Sequence, residues 1–554
     1  MPRGRKRERA PSPGLAAISQ ALKKSRKAVD KKSGGKREKS KGITSSVASN
    51  NCVDALCPLF GTSASVFEDS SGPWTCMLNQ TNLAFNNNKY YLIQVLKEEG
   101  DKYSVWFRWG RVGFKGQTKL ESCGKGAAAL TKAKTLFEKK FHDKTLNHWE
   151  EKENFVKHDR KYELLKMNFG VSSTDDEVDA KTKNDGDDGR RDEKKEVKSK
   201  LDERVQELIQ KICDINTMRQ SMVEMKYDAN KAPLGKLTEE QIKAGYLALA
   251  EIVKCLEVGK SRSCLVQANN EYYTRIPHFF GMKTPPLIQS SQDVRKELEM
   301  LESLAEIEVI VTMLKTLDEL EDLHPIDQKY LSLKCSMEPV DPSSDMCQKI
   351  VRYISSTHAK THSLYAMKPL NMFRVEREGE EQRFKDCGNR MLLWHGSRIS
   401  NWAGILYQGL RVAPEEAPST GFMFGKGIYF ADVSSKSANY CYASRKNNKG
   451  LLVLCEVALG KPKVLAHADY EADRLPKTYH SVHGVGKFQS LAENRETLED
   501  GSVIPYGPID YEFYKTKLGQ LKNEPLDLNY NEYVVYNENQ IRLRYLVEIE
   551  FQFK

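Results

Sequence analysis

The stretch LLWHGS, Leu392 to Ser397, decides how the last third of this 554-residue chain is read, together with GFMFGKGIYFAD (Gly421 to Asp432), SKSANYC (Ser435 to Cys441) and YNEYVVY (Tyr530 to Tyr536). The apolar run before His395 reads as a buried strand. Gly396 directly after it places the histidine where backbone can closely approach a ligand. Tyr429, Tyr440 and Glu532 fall in the other three segments. Taken singly, each has an ordinary reading: a structural histidine, two core aromatics and a solvated edge carboxylate. Only their combination carries chemistry.

Around these segments the pattern is one of short strands and Gly-rich turns from about residue 327 to 554, with LLVLCEVALG (Leu451 to Gly460) and IRLRYLVEIEF (Ile541 to Phe551) as the clearest strands. A β-rich α+β domain is expected there. Upstream, LDERVQELIQKI (Leu201 to Ile212) and LTEEQIKAGYLALAEIVKCL (Leu237 to Leu256) carry apolar stripes of 3.6 period, the second with Thr238 as its cap. Ser290 to Leu323 reads as one long helix with Leu304, Ile307, Val311 and Leu314 on one side, ended by Pro325. Residues 201–323 are therefore expected to form a helical domain. A mixed-charge run at 171–200 reads as a linker.

Residues 72–170 turn aromatic and alternate like strands. Tyr90, Leu92, Gln94 and Leu96 fall on one face and Tyr91, Ile93 and Val95 on the other; Tyr103, Val105, Phe107 and Trp109 then oppose Ser104, Trp106 and Arg108. With an amphipathic helix at Leu130 to Thr145, this predicts a small α+β domain on an antiparallel sheet. The whole chain is thus expected to be multidomain α+β.

The net charge of +10 is concentrated in residues 1–50, where 15 Lys and Arg face 3 Asp and Glu, leaving the remainder at −2. Residues 1–71 hold too few aromatic and large apolar side chains for a core and are expected to be a disordered basic tail. KKSRK (Lys23 to Lys27) and KKSGGKREKSK (Lys31 to Lys41) have the density of nuclear import signals and of a phosphate-binding arm. No apolar stretch approaches the roughly 20 residues of a membrane span, and the N-terminus has no secretory pattern. A soluble intracellular chain with reduced thiols is expected. Twelve cysteines lack a CxxC, and His480 and His483 lack ligand-spaced partners, so no metal is expected. No GxGxxG opens a helix after a strand, and GFMFGKG lacks P-loop spacing, which disfavours hydride-transfer and P-loop nucleotide chemistry.

The four quoted segments together resemble the catalytic domain of the poly(ADP-ribose) polymerases, and the likeness extends upstream to about residue 72. It implies an ADP-ribosyltransferase fold that consumes NAD as substrate. His395 would hold the adenosine ribose, the Gly396 backbone and the Ser437 hydroxyl the carboxamide, and Tyr429 and Tyr440 the nicotinamide ring. Ser397, Gly404 and Arg411 would complete the pocket, with Lys436 a nearby electrostatic contributor. Glu532 would be the catalytic carboxylate, and its presence favours polymer synthesis over transfer of single units. NNNKYY (Asn86 to Tyr91) followed by WGR (Trp109 to Arg111) resembles the WGR domain of the DNA-dependent members. Asn87, Lys89, Trp109 and Arg111 would then contact a DNA strand break bearing a 5′-phosphate, with Trp109 on sugar. The helical segment resembles the regulatory domain that blocks NAD access until DNA is bound. The same resemblance implies a nuclear DNA-repair enzyme acting at chromatin on histones and on itself. Ser25, Ser33 and Ser40 are the self-modification candidates, and a histone PARylation factor is an expected partner. The competing readings are a catalytically silent DNA-end-binding scaffold and a mono-ADP-ribosyltransferase.

Overall fold

In the computed structural model, which describes residues 53–168, 198–214, 218, 220, 236–257, 259, 261–315, 323–516 and 525–554, the chain begins with an antiparallel sheet built from alternating apolar residues. Its strands β1 (Thr75–Asn82), β2 (Asn87–Glu98), β3 (Lys102–Arg111), β4 (Gln117–Lys125) and β5 (Glu163–Leu165) lie in the order β4-β3-β2-β1-β5. Helix α1 (Ala127–Thr145) packs on one face through Ala133, Phe137 and Phe141. The predicted alternation holds residue by residue. Tyr91, Ile93, Val95, Val105 and Phe107 face α1, whereas Tyr90, Leu92, Leu96 and Trp106 face a second core.

That second core moves the expected end of the basic tail. Residues 53–71 belong to the sheet domain, with Val53 and Cys57 buried against Trp106. Asp54 accepts hydrogen bonds from Trp106 Nε1 at 2.8 Å and from Arg108 Nε and Nη2 at 2.5 and 2.8 Å. The segment was read as tail because its composition is polar. One buried ion pair anchors it instead. Residues 1–52, with Ser25, Ser33 and Ser40, lie outside the described residues, as does most of the expected linker.

The helical region contains α2 (Glu203–Ile212), α3 (Glu239–Glu257), α4 (Arg262–Arg275), α5 (Ser291–Lys315) and α6 (Pro325–Ser332). Helix α3 opens as expected, with Thr238 Oγ1 accepting from Gln241 N at 3.3 Å. Two expectations need correction. Pro325 is the first residue of α6, capped by His324, because a proline without N–H is well placed at N1. Helix α4 was missed because its buried face includes Asn269, Asn270 and Thr274.

Helix α5 is shared between two cores. Leu298, Leu301 and Leu304 pack with Ile242, Tyr246 and Leu249 of α3, while Ile310 and Met313 lie in the core of the C-terminal sheet together with α2. The sheet domain joins the helical one through polar contacts, with Leu83, Met167 and Phe114 adding apolar ones. Asn79 Nδ2 donates to Thr274 O at 2.8 Å, Thr81 N to Thr274 Oγ1 at 2.9 Å, and Asn88 Nδ2 to His278 O at 2.9 Å.

The C-terminal domain is built on two main sheets and a small three-stranded one (Ile509–Asp510, Gly486–Ser490 and Leu528–Tyr530), with helix α7 (Asp345–Ser356) packed on the largest through Ile350 and Tyr353. The larger has the order β6-β7-β16-β10-β8-β14-β13, comprising Cys335–Pro339, Tyr365–Arg377, Ile541–Phe553, Lys449–Ala458, Arg390–Ser397, Val503–Pro505 and Arg495–Thr497. Its central strands read as continuous apolar runs because both faces are covered, Val453 and Cys455 on one side and Leu452 and Leu454 on the other. The smaller has the order β9 (Ile428–Phe430), β15 (Glu532–Val535), β12 (Ser481–Gly484) and β11 (Pro462–Leu465). Trp394 and Ala431 exchange backbone hydrogen bonds at 2.9 and 3.0 Å and clasp the two sheets together.

Removing Asp54 would leave the Arg108 guanidinium buried without its carboxylate. Asp54→Ala should therefore cost roughly 3–5 kcal/mol of stability in the N-terminal domain. Thermal melts of the two proteins measure the loss, and an unchanged melting temperature would contradict the anchoring role.

Candidate active site

The clasp puts the end of β8 beside β9, and a cavity of about 750 Å³ opens there between the two sheets and α5. His395 is the last strand residue before the glycine. Its Nδ1 lies 2.9 Å from Tyr429 O, which can only accept, so Nδ1 carries the proton. Burial lowers the histidine's pKa, and the imidazole is neutral at pH 7. Nε2 is then left as an acceptor. A Cβ at Gly396 would stand 2.0 Å from Ser437 O, so β8 and the short helix α9 (Ser434–Ala438) meet with no space for a side chain. Ser437 Oγ donates to Trp394 O at 2.9 Å.

Tyr429 is fixed at its hydroxyl, which donates to Gly425 O at 2.8 Å and accepts from Phe424 N at 2.9 Å. Its ring stacks on Phe422 with centroids 6.2 Å apart. Tyr440 faces the same cavity, and its hydroxyl accepts from Arg295 of α5 at 2.9 Å.

Glu532 opens β15 at 8% exposure, and its carboxylate meets Lys436 Nζ at 3.0 Å. The same ammonium donates to the carbonyls of Tyr530 and Asn531 at 2.8 and 3.0 Å. Lys436 thus ties α9 to the residues that aim Glu532. Burial pulls its pKa down, against the opposing attraction of Glu532. His395, Gly396, Ser397, Arg411, Tyr429, Lys436, Ser437, Tyr440 and Glu532 all line this one cavity. Gly404, on helix α8 (Trp402–Gln408), lies under α5, where an added Cβ would be 1.7 Å from Glu306 Oε2.

Several residues at the site escaped sequence reasoning because they belong to a different domain. Arg295, Glu299, Glu302 and Glu306 all project from α5 into the cavity. Glu306 pairs with Arg411 at 2.8 Å, and Glu299 accepts from the Tyr442 hydroxyl. Burial, then repulsion from Glu299 and Glu306, raises Glu302 to a pKa of about 7. A helical spacing of three to four residues, 295, 299, 302 and 306, was the available signal. It reads as a solvated face until the cavity is placed beneath it.

The expected DNA-contacting residues are placed less uniformly. Lys89 is exposed and Asn87 half-buried, at neighbouring positions on β2. Trp109 stacks on Tyr91 at 5.5 Å with planes 10° apart. Lys144 of α1 sits 4.8 Å over that same Tyr91 ring, and burial, then repulsion from Lys140, Lys161 and Lys89, lowers its pKa. Arg111 is engaged elsewhere. It donates to Gly281 O at 2.6 Å, Lys283 O at 2.7 Å, Asn86 O at 2.7 Å and Asn86 Oδ1 at 2.8 Å, bridging to the helical domain. His480 and His483 lie away from the cavity, the latter stacked on Tyr533 at 4.6 Å. Among the described residues no group of three or more His, Cys, Asp and Glu side chains is arranged to hold a metal.

Because Glu302 has a raised value in the folded chain, the folded form holds an extra proton between the ordinary 4.5 and about 7. Stability of the docked α5 should fall as pH rises through that window, and the loss should be complete above it. Glu302→Gln should flatten the dependence and add on the order of 2 kcal/mol at pH 8. Thermal melts from pH 5 to 8 test this; parallel profiles for the two proteins would refute it.

Three family models match the chain: the WGR domain over residues 74–156, the poly(ADP-ribose) polymerase regulatory domain over 199–330, and the poly(ADP-ribose) polymerase catalytic domain over 344–551. Poly [ADP-ribose] polymerase 2 of Homo sapiens is 48% identical over 90% of this chain and 83% of its own length. The protein of that name from Arabidopsis thaliana is 42% identical over 88% of this chain and 75% of its own, and poly [ADP-ribose] polymerase 1 of Gallus gallus is 40% identical over 89% and 46%. With all three segments matched in order and the Homo sapiens and Arabidopsis thaliana relatives aligned along three quarters or more of their own length, the chain belongs to the poly(ADP-ribose) polymerase family and is an NAD-dependent ADP-ribosyltransferase.

Proposed function

We propose that this chain is a DNA-break-activated poly(ADP-ribose) polymerase that transfers ADP-ribose from NAD to protein side chains, including its own, and then to growing polymer. The observation that carries this reading is the position of α5. Its Arg295, Glu302 and Glu306 occupy the cleft between Tyr440 and Arg411. The α3–α4 pair against which it packs is gripped by β1 of the WGR domain.

In the open cleft, the nicotinamide ring would lie between Tyr429 and Tyr440, a stacking worth about 0.5–1.5 kcal/mol per aromatic pair beyond burial. The Gly396 backbone and Ser437 Oγ would hold its carboxamide. His395 Nε2, kept as an acceptor by the Tyr429 carbonyl, would take a hydrogen bond from the adenosine ribose. Ser397, Gly404 and Arg411 would line the remainder of the dinucleotide. As the bond between nicotinamide nitrogen and ribose C1′ breaks, its electron pair neutralises the pyridinium and C1′ gains positive charge. Glu532, hydrogen-bonded to the 2′-hydroxyl of that ribose, would stabilise the charge and polarise the acceptor hydroxyl that attacks C1′. Lys436 fixes the carboxylate for this task.

The sensing end would combine Lys89, Asn87, Trp109 and Lys144, whose cations and aromatic face suit phosphate and sugar contacts without base readout. A terminal 5′-phosphate would compete for Arg111. Its release from the carbonyls of Gly281 and Lys283 would loosen the helical domain at the same step. The basic tail, with Ser25, Ser33 and Ser40 as acceptors, adds salt-sensitive DNA affinity. Nuclear localisation, histone acceptors and a histone PARylation factor as partner complete the proposal.

Labelled NAD, supplied with and without 5′-phosphorylated nicked DNA, should give protein-bound polymer that DNA increases; no bound label under either condition would favour a silent scaffold. Glu532→Gln should lower the rate by roughly 10²–10³ and leave short products. Deletion of residues 201–323 should raise the rate without DNA, and an unchanged basal rate would remove the gating role.

A further inference from the structure

The helical domain carries a pair of cysteines that the reaction does not use. Cys255 lies in the last turn of α3 and Cys264 in the first turn of α4, with their sulfurs 2.8 Å apart. A disulfide bond spans about 2.05 Å, so closure needs an approach of under about 1 Å. Cys264 is half-exposed beside Ser261, which caps α4, whereas Cys255 is buried at 5% exposure among the residues that pack α3 on α5. One sulfur is open to a reagent and the other stands ready behind it. This is the arrangement of an attacked thiol and its resolving partner.

Position gives the pair a consequence. Helix α3 lines the cleft with Ile242 and Tyr246, and its last turn contacts the catalytic domain through Glu257, which accepts from Thr420 Oγ1 at 2.5 Å. Helix α4 is the element that the WGR strand holds at Thr274. The two cysteines sit where these helices join. A covalent link there fixes the end of α3 to the start of α4 and opposes any separation of the element that senses from the element that covers.

We infer that Cys255 and Cys264 form a peroxide-sensitive dithiol whose disulfide locks the helical domain over the NAD cleft; this rests on the gating role proposed above. The Cys264 sulfur attacks a peroxide oxygen, the O–O bond breaks, and a sulfenic acid and water result. The Cys255 sulfur then attacks the Cys264 sulfur, the S–O bond breaks, and the second oxygen leaves as water with the Cys255 proton. Two thiols and one hydrogen peroxide become one disulfide and two waters, the two electrons passing to peroxide. Thiol reductants reverse the bond, as suits a sensor in a reducing compartment.

The test uses the full chain, reduced and then exposed to hydrogen peroxide. Tryptic digestion without reductant should give peptides 255–260 and 263–275 joined by one bond. The DNA-stimulated rate with labelled NAD should fall by about 5-fold or more and return with dithiothreitol. Cys264→Ser, a change at a half-exposed position, should keep normal DNA stimulation and lose the peroxide response. Absence of the joined peptides, or equal inhibition of Cys264→Ser, overturns the dithiol. Joined peptides with an unchanged DNA-stimulated rate overturn the lock. The deletion of residues 201–323 reports on the gate separately, so a failed lock and a failed gate are distinguishable.

Discussion

Two backbone hydrogen bonds between Trp394 and Ala431 organise the catalytic domain, because they close the large sheet onto the small one at a single point. His395 and Gly396 follow immediately on one side of that seam, and Tyr429 and Asp432 flank it on the other. The Trp394 carbonyl also accepts from Ser437, which draws α9 to the same place. With α9 comes Lys436, and through Lys436 the carboxylate of Glu532. Residues more than a hundred positions apart therefore share one cleft through a short chain of contacts. Gly396 is required within it because Ser437 O occupies the place of a Cβ.

The cleft's electrostatics follow from what fills it. Lys436 and Glu532 neutralise one another at one end of the cleft. The carboxylates of Glu299, Glu302 and Glu306 line it from α5. Arg411 is held by Glu306 and Tyr440 by Arg295, so α5 satisfies polar groups on the far wall of the cleft. Burial first, and then repulsion among these carboxylates, raises the Glu302 pKa. Glu306 is met there by Arg411 and Glu299 by the Tyr442 hydroxyl, while burial favours the protonated form of Glu302.

Much of this was legible in the chain itself. Strand alternation placed Tyr91, Ile93 and Val95 opposite Tyr90 and Leu92 without a single inversion, since a period of two leaves no freedom once one face is assigned. The motif segments brought eight of the expected pocket residues to one cavity, and Arg411 joins them from outside those segments. What escaped notice was set by contacts distant in sequence. Asp54 is ordered by Arg108, fifty-four residues on, and a polar segment gives no local sign of that. Helix α4 buries Asn269 and Asn270, which propensity and periodicity both count as surface. Arg111 reads as a phosphate ligand by type, yet two of the three backbone carbonyls it meets belong to residues 281 and 283. No pattern within one domain can report an interface with another.

The two seams of the helical domain differ in kind, and the difference bears on how it would open. Against the WGR sheet many contacts are hydrogen bonds, from Asn79, Thr81, Asn88 and Arg111, that water or phosphate can replace at modest net cost, with the Arg275–Glu163 ion pair and smaller apolar contacts of Leu83, Met167 and Phe114 beside them. Against the catalytic sheet, Ile310 and Met313 of α5 are buried with Leu393 and Val453, and α2 joins the same core. Separating that seam exposes apolar area with nothing to compensate. Detachment of the helical domain as a rigid body would break this seam. A path that spares it would keep the C-terminal half of α5 docked and loosen α3, α4 and the N-terminal half of α5, where Arg295 and Glu302 reside, at the cost of contacts in their own core. A gate built this way would uncover the cleft by local unfolding between a mainly polar seam and an apolar one, and the apolar seam would return it to its place.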